Sequence, residues 1–115
     1  MAETVIWHNP RCSKSRETLA LLRARGVEPV LRHYLESPPD ADEIRAALSA
    51  LGRPAIDLVR RGEARFSALG LAAGDSDDRL VAAMAAEPIL IERPLVIRDG
   101  RAVLGRPPEA VLALL

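Results

Sequence analysis

The chain is 115 residues long, enough for one domain (1–115) that buries a core without disulfide staples. Sixteen Lys and Arg balance sixteen Asp and Glu, which argues against a nucleic-acid binder, whose signature is a basic excess. Apolar residues make up 49% of the sequence, yet no uninterrupted run approaches the roughly 18–20 that a membrane span needs, so no membrane partner is expected.

The opening "MAETVIWHNP" lacks a basic segment followed by an apolar core, so no secretory signal is read and a cytoplasmic location is expected. "ETVIW" (3–7) is a short β-branched and aromatic run that predicts a strand ending at the polar "HNPR". From Ser13 the residues Leu19, Ala20, Leu21 and Leu22 form a helical stripe, with Gly26 as its stop. "EPVLRHYL" (28–35) is a second strand candidate. Strand, helix and strand together form a βαβ unit, whose strands should be parallel.

"ESPPD" (36–40) interrupts the chain. In "DADEIRAALSALG", Asp40 stands three residues before Glu43, an Asp version of the capping box, and the helix should end at Gly52. "PAIDLVRRG" (54–62) predicts another short helix. "GDSDDRLVAAMAAEP" (74–88) predicts one more, with acidic and hydroxyl residues at its start and a proline stop. "PLVIRDGRAVLG" (94–105) then places two apolar runs around Asp99-Gly100, a strong hairpin signal. "RPPEAVLALL" (106–115) has prolines at the entry of a final helix. The predicted fold class is α/β: a mixed four-stranded sheet in the order β-α-β … β-β-α, with an all-helical insertion at about residues 40–87.

The one cysteine, Cys12, lies in "WHNPRCSKSRET" at the junction of strand and helix, among Arg11, Lys14 and Arg16. A free thiol with a pKa of about 8.5 is only a few per cent thiolate at neutral pH. At a helix cap the unpaired N–H groups and the dipole favour the anion, and three nearby cations should add to this. The same donors would hold an incoming oxyanion. The alternative is a buried cysteine acting as a small apolar residue, but the polar flanks favour reactivity. A single Cys with two histidines, His8 and His33, gives no zinc spacing, so no metal is expected. Ser15 stands where a dithiol oxidoreductase would carry its second cysteine. A redox cycle through Cys12 therefore needs an external thiol, and glutathione is the obvious small one.

"HNPRCSKSRETLALLR" closely resembles the active-site segment of the glutaredoxin-linked arsenate reductases, a family of thioredoxin-like fold whose signature is His-Asn-Pro-x-Cys-x-x-Ser-Arg. "IDLVRRGE" resembles the family's central arginine-bearing segment, and "EPILIERPLVIRDGRAVLGRPPEAVLALL" its C-terminal one. The resemblance implies Cys12 as nucleophile and Arg60, Arg93 and Arg106 as ligands of arsenate and later arsenite. Asn9, Arg11, Lys14 and Arg16 would add contacts from the cysteine loop. It makes His8 a tuner of the thiolate, through a protonated imidazole. Ser15 would either bond the sulfur or cap backbone donors. Pro94 falls where thioredoxin-fold proteins carry a cis-proline. The implied chemistry passes through a Cys12 thiolate–arsenate adduct, resolved by glutathione as co-substrate and glutaredoxin as partner, with no bound cofactor. Two alternatives stay open: a general glutathione-dependent thiol/disulfide oxidoreductase, and a non-catalytic thioredoxin-fold regulator that binds RNA polymerase. The regulators commonly keep a Cys-x-x-Cys switch, which Ser15 removes here.

Overall fold

A computed structural model describes residues 3–115; the first two residues of the opening segment lie outside it. The residues divide into two compact units: a sheet unit, 3–37 with 93–115, and an insertion unit, Pro38–Glu92.

The sheet unit contains four strands: β1 (Thr4–Trp7), β2 (Val30–Arg32), β3 (Leu95–Arg98) and β4 (Arg101–Leu104), in the spatial order β2-β1-β3-β4. β1 and β2 are parallel, with Val5 opposite Val30 and Trp7 opposite Arg32. β1 and β3 are antiparallel, as are β3 and β4. The sheet is thus mixed, as expected from the element order, and its α/β arrangement is the thioredoxin-like one that the resemblance implies. The β3–β4 turn has positive φ at both Asp99 (56°) and Gly100 (76°), the geometry that matches the twist of a two-residue hairpin.

Helix α1 (Ser13–Ala24) and a 3-10 helix, Pro108–Leu114, pack against each other. Their apolar faces join one face of the sheet in a core of Ile6, Leu19, Leu22, Val96, Val111 and Leu114. The chain leaves α1 through Gly26 at φ 77°, one residue beyond the helix cap at Arg25. Two predicted elements come out shorter. β2 is only three residues long because His33 starts a turn, its carbonyl accepting from the N–H of Glu36 (3.0 Å) and Ser37 (2.8 Å). The final helix is 3-10 rather than α, entered through the cis Arg106–Pro107 bond.

The insertion unit holds α2 (Ala41–Leu51), α3 (Ala64–Ala68), α4 (Asp77–Ala86) and 3-10 helices at Ala55–Leu58 and Pro88–Leu90. The capping box of α2 is formed: Glu43 N–H donates to Asp40 Oδ1 (2.8 Å) and Asp40 N–H to Glu43 Oε1 (3.3 Å). α4 is capped by the Ser76 hydroxyl, which accepts from Arg79 N–H at 3.2 Å. Ile44, Leu48, Leu58, Leu80, Met84 and Leu90 are buried in this unit. The helix expected over 54–62 stops at Leu58, because buried Val59 extends into a bridge with buried Ile91. Arg60 N–H to Leu90 O (2.7 Å) and Glu92 N–H to Leu58 O (2.6 Å) complete that bridge, so the insertion is helical except at this point. α3, which the sequence reading passed over, has no buried residue.

Candidate active site

Cys12 is the N-cap of α1, with extended backbone (φ −92°, ψ 123°), and is half-buried. The loop before it is a tight turn: Cys12 N–H donates to Asn9 O and Arg11 N–H to Asn9 Oδ1, both at 3.0 Å. Asn9 therefore shapes the loop with its side chain as well as its backbone.

The thiol is pulled both ways. Burial is the largest single effect and disfavours the anion. Against it act the backbone N–H groups of Ser15 and Lys14, in the first turn of α1, and the charges of Arg93 and Arg106. Together these prevail, and the Cys12 pKa lies below its ordinary value. Helix-end donors thus hold the thiolate, as the sequence suggested.

The cations that act on the sulfur are not those of the cysteine loop but two of the three arginines that the resemblance implied. Arg16 directs its guanidinium to Pro10 O (2.9 Å), and Lys14 pairs with Glu17 (3.7 Å). Neither they nor Arg11 provide the charge that lowers the Cys12 pKa; that comes from Arg93 and Arg106, distant in sequence. An unpaired helix end and its loop can be read locally, but which guanidinium faces the sulfur is decided by the sheet.

Arg106 follows β4 and Arg93 precedes β3, so the hairpin brings them side by side. Arg106 Nε donates to Arg93 O at 2.7 Å, and its Nη2 lies 3.7 Å from Cys12 Sγ. Next to this bond, Gly105 N–H donates to Pro94 O at 2.9 Å. The Arg93–Pro94 peptide is cis. A Cβ on Gly105 would stand 2.5 Å from Thr18 Oγ1 and 2.7 Å from Pro94 Cγ, so only glycine fits between α1 and the proline ring. Thr18 and Gly105 thus fix the point from which Arg106 reaches the sulfur. The sequence reading missed both; the one available signal was a glycine placed directly before the Arg-Pro that ends the hairpin.

His8 differs from expectation as well. It is buried, and its pKa is lowered, first by burial and then by the charges of His33, Arg23 and Arg16. At neutral pH the imidazole is uncharged, so it does not stabilise the thiolate as a cation. Its Nδ1 lies 2.6 Å from Ser15 Oγ, and the same oxygen accepts from Asn9 N–H at 3.1 Å. With a neutral ring, the partners are satisfied when the Ser15 hydroxyl donates to Nδ1. The Ser15 hydroxyl is therefore engaged by His8 and the loop, while its backbone N–H faces the sulfur. His8 acts on Cys12 through the placement of the first turn of α1.

Arg60 belongs to the insertion unit, where its Nη1 donates to Ile89 O (3.2 Å) and pairs with Glu63 (3.5 Å). Among the described residues no group of three or more His, Cys, Asp or Glu is arranged to hold a metal, and no helix is long and apolar enough to cross a membrane.

Residues 7–114 match the model of the ArsC family. The chain belongs to the ArsC family. An uncharacterized protein of Escherichia coli K12, YfgD, is 50% identical over 95% of this chain and 93% of its own. The arsenate reductase of the same organism is 41% identical over 100% of this chain and 82% of its own. Among solved structures, an arsenate reductase from Vibrio cholerae superposes with a TM-score of 0.94 and 47% identity, covering 98% of both chains. Membership of the ArsC family thus covers the sheet unit and the insertion unit alike, and includes Cys12, Arg60, Arg93 and Arg106.

Proposed function

We propose that this ArsC-family chain reduces arsenate to arsenite, with Cys12 as nucleophile and Arg93 and Arg106 as the ligands of the oxyanion. The observation that supports this most strongly is the position of Arg106 Nη2, 3.7 Å from a half-buried helix-capping sulfur whose pKa is lowered. Guanidinium forks match oxyanion geometry and offset the charge that develops at the reacting centre. Of the loop residues expected to add contacts, Asn9 shapes the turn, Arg16 and Lys14 are held by Pro10 O and Glu17, and Arg11 is left outside the oxyanion set. Arg60 remains in the proposal on the family resemblance.

The Cys12 thiolate forms a sulfur–arsenic bond, with loss of one oxygen of arsenate as water. Glutathione adds to the same arsenic with loss of a second water. A glutaredoxin thiolate then attacks the glutathione sulfur, and the sulfur–arsenic bonding pair returns to arsenic, taking it from the pentavalent to the trivalent state. Water releases arsenite and restores Cys12. The net reaction converts arsenate and two thiols into arsenite, one glutathione–glutaredoxin disulfide and one water. Ser15 in the second-cysteine position makes the external thiols necessary, and a reducing compartment, the cytoplasm, supplies them.

The test is an assay that couples NADPH oxidation to glutathione reductase, glutathione and glutaredoxin. Arsenate-dependent NADPH loss is expected, abolished in Cys12→Ser and lowered roughly 10²-fold in Arg106→Ala. Turnover that survives in Cys12→Ser, or that thioredoxin alone sustains, contradicts the proposal. Reduction of a glutathionylated peptide that is indifferent to arsenate and to Arg106 would assign the chain to general thiol–disulfide exchange.

A further inference from the structure

The carboxyl ends of the parallel strands β1 and β2 open on a cleft of about 240 Å³, between the Asn9–Arg11 loop and the His33–Glu36 turn. This is where ligands characteristically settle on a sheet with parallel strands. The inner wall is formed by His8 and His33, in edge-to-face contact at 5.9 Å. Leu35, exposed to solvent, gives an apolar strip. The turn is fixed by its two bonds to His33 O, by buried Tyr34, and by Arg32 Nε, which donates to Ser37 O at 2.9 Å.

Two residues of opposite charge line this cleft, Arg11 and Glu36. Neither side chain has a hydrogen-bond or ion-pair partner among the described residues, and they do not bridge each other. A cation and an anion that line one cleft without pairing complement a group that carries both charges as substituents of one carbon: the ammonium and carboxylate of an α-amino acid. The cleft also ends close to the nucleophile, since Arg11 and Cys12 are consecutive and their Cα atoms are about 3.8 Å apart.

We propose that the cleft between the Asn9–Arg11 loop and the His33–Glu36 turn binds the zwitterionic γ-glutamyl head of the thiol co-substrate, its carboxylate on Arg11 and its ammonium on Glu36. The Leu35 strip takes the methylene stem, and the peptide runs past Arg11 to bring its thiol to the arsenic on Cys12. The inference rests on glutathione being the co-substrate, and it places the oxyanion and the tripeptide on different sides of the sulfur: arginines of the β3–β4 hairpin for one, the ends of β1 and β2 for the other.

The experiment is a calorimetric titration of the full chain with S-methylglutathione, which cannot react, and with its analogue lacking the α-amino group. Each is run on the wild type, Glu36→Gln and Arg11→Gln. Wild type should bind S-methylglutathione roughly 3–10-fold more tightly than the deaminated analogue, as one charge-assisted hydrogen bond implies. Glu36→Gln should lose that preference, whereas Arg11→Gln should weaken both ligands and keep it. Equal affinity of the wild type for both ligands, no binding at millimolar concentration, or a preference that survives in Glu36→Gln overturns the assignment. The coupled turnover assay decides separately whether glutathione serves the reaction at all, so the site can fail while the function stands.

Discussion

Replacing Gly105 by alanine adds one methyl group where the structure has no room. The new Cβ would stand 2.5 Å from Thr18 Oγ1, 2.7 Å from Pro94 Cγ and 3.2 Å from Thr18 Cγ2; the first is almost an ångström inside the 3.4 Å at which ordinary contact begins. Neither neighbour yields easily, because Pro94 Cγ belongs to a ring and Thr18 is a buried residue of α1. Overpacking of this kind costs about 1–3 kcal/mol, and the rigidity of both neighbours points to the upper half of that range. Urea unfolding should show the loss. Relief of the clash moves the strand end that carries Arg106, whose Nε bonds Arg93 O and whose Nη2 approaches the sulfur. Iodoacetamide alkylation of Cys12 against pH should therefore shift to a higher midpoint in Gly105→Ala. Thr18→Ala removes two of the three crowded atoms, so the double variant should recover about 1 kcal/mol relative to the sum of the single changes. A Gly105→Ala protein within about 0.5 kcal/mol of wild type, with an unchanged alkylation profile, would refute the reasoning.

Three further outcomes follow from local chemistry. Asp40→Ala removes the side-chain acceptor of the α2 capping box, leaves the Glu43 N–H without it and should lower stability by about 1 kcal/mol, read from the urea midpoint. His8 has a folded pKa below 6.5, so the unfolded chain takes up its proton first; stability should be full above pH 6.5 and fall as the pH drops through the window beneath it. A pH series of urea midpoints should show that slope, and His8→Gln should flatten it. Cys12 works in the other window: its folded pKa lies below that of the free thiol, so its contribution should rise as the pH climbs from the folded to the free value, and Cys12→Ser should abolish that rise.

What could be read from the sequence was mostly what is decided within a few residues. Asp40 with Glu43, Asp99-Gly100 and the helix beginning at Ser13 each carry their own instructions in capping and turn chemistry, and all three appear where expected. Cys12 at a helix cap followed from the same logic. The cations around it did not follow from local sequence, because Arg11, Lys14 and Arg16 are neighbours only along the chain; only the resemblance pointed to Arg93 and Arg106. Arg93 and Arg106 arrive through the pairing of β3 with β4. The 54–62 segment shows the same limit: its apolar spacing fits a helix, but burying Val59 beside Ile91 demands an extended backbone. His8 was expected to be a protonated imidazole because the resemblance makes it a tuner of the thiolate. Its burial reverses that expectation. The cleft at His33–Glu36 had no sequence signal, since it depends on β2 ending early enough for a turn to form beside the cysteine loop.

The most direct test of the central claim, that helix-end amides and two hairpin arginines keep the Cys12 sulfur ionised, is a spectroscopic pH titration of its thiolate in wild type, Arg93→Ala and Arg106→Ala. The titration midpoint is expected below that of free cysteine in the wild type and should move upward in each arginine variant. A wild-type midpoint at or above the free-cysteine value, or one that neither substitution moves, would contradict the account.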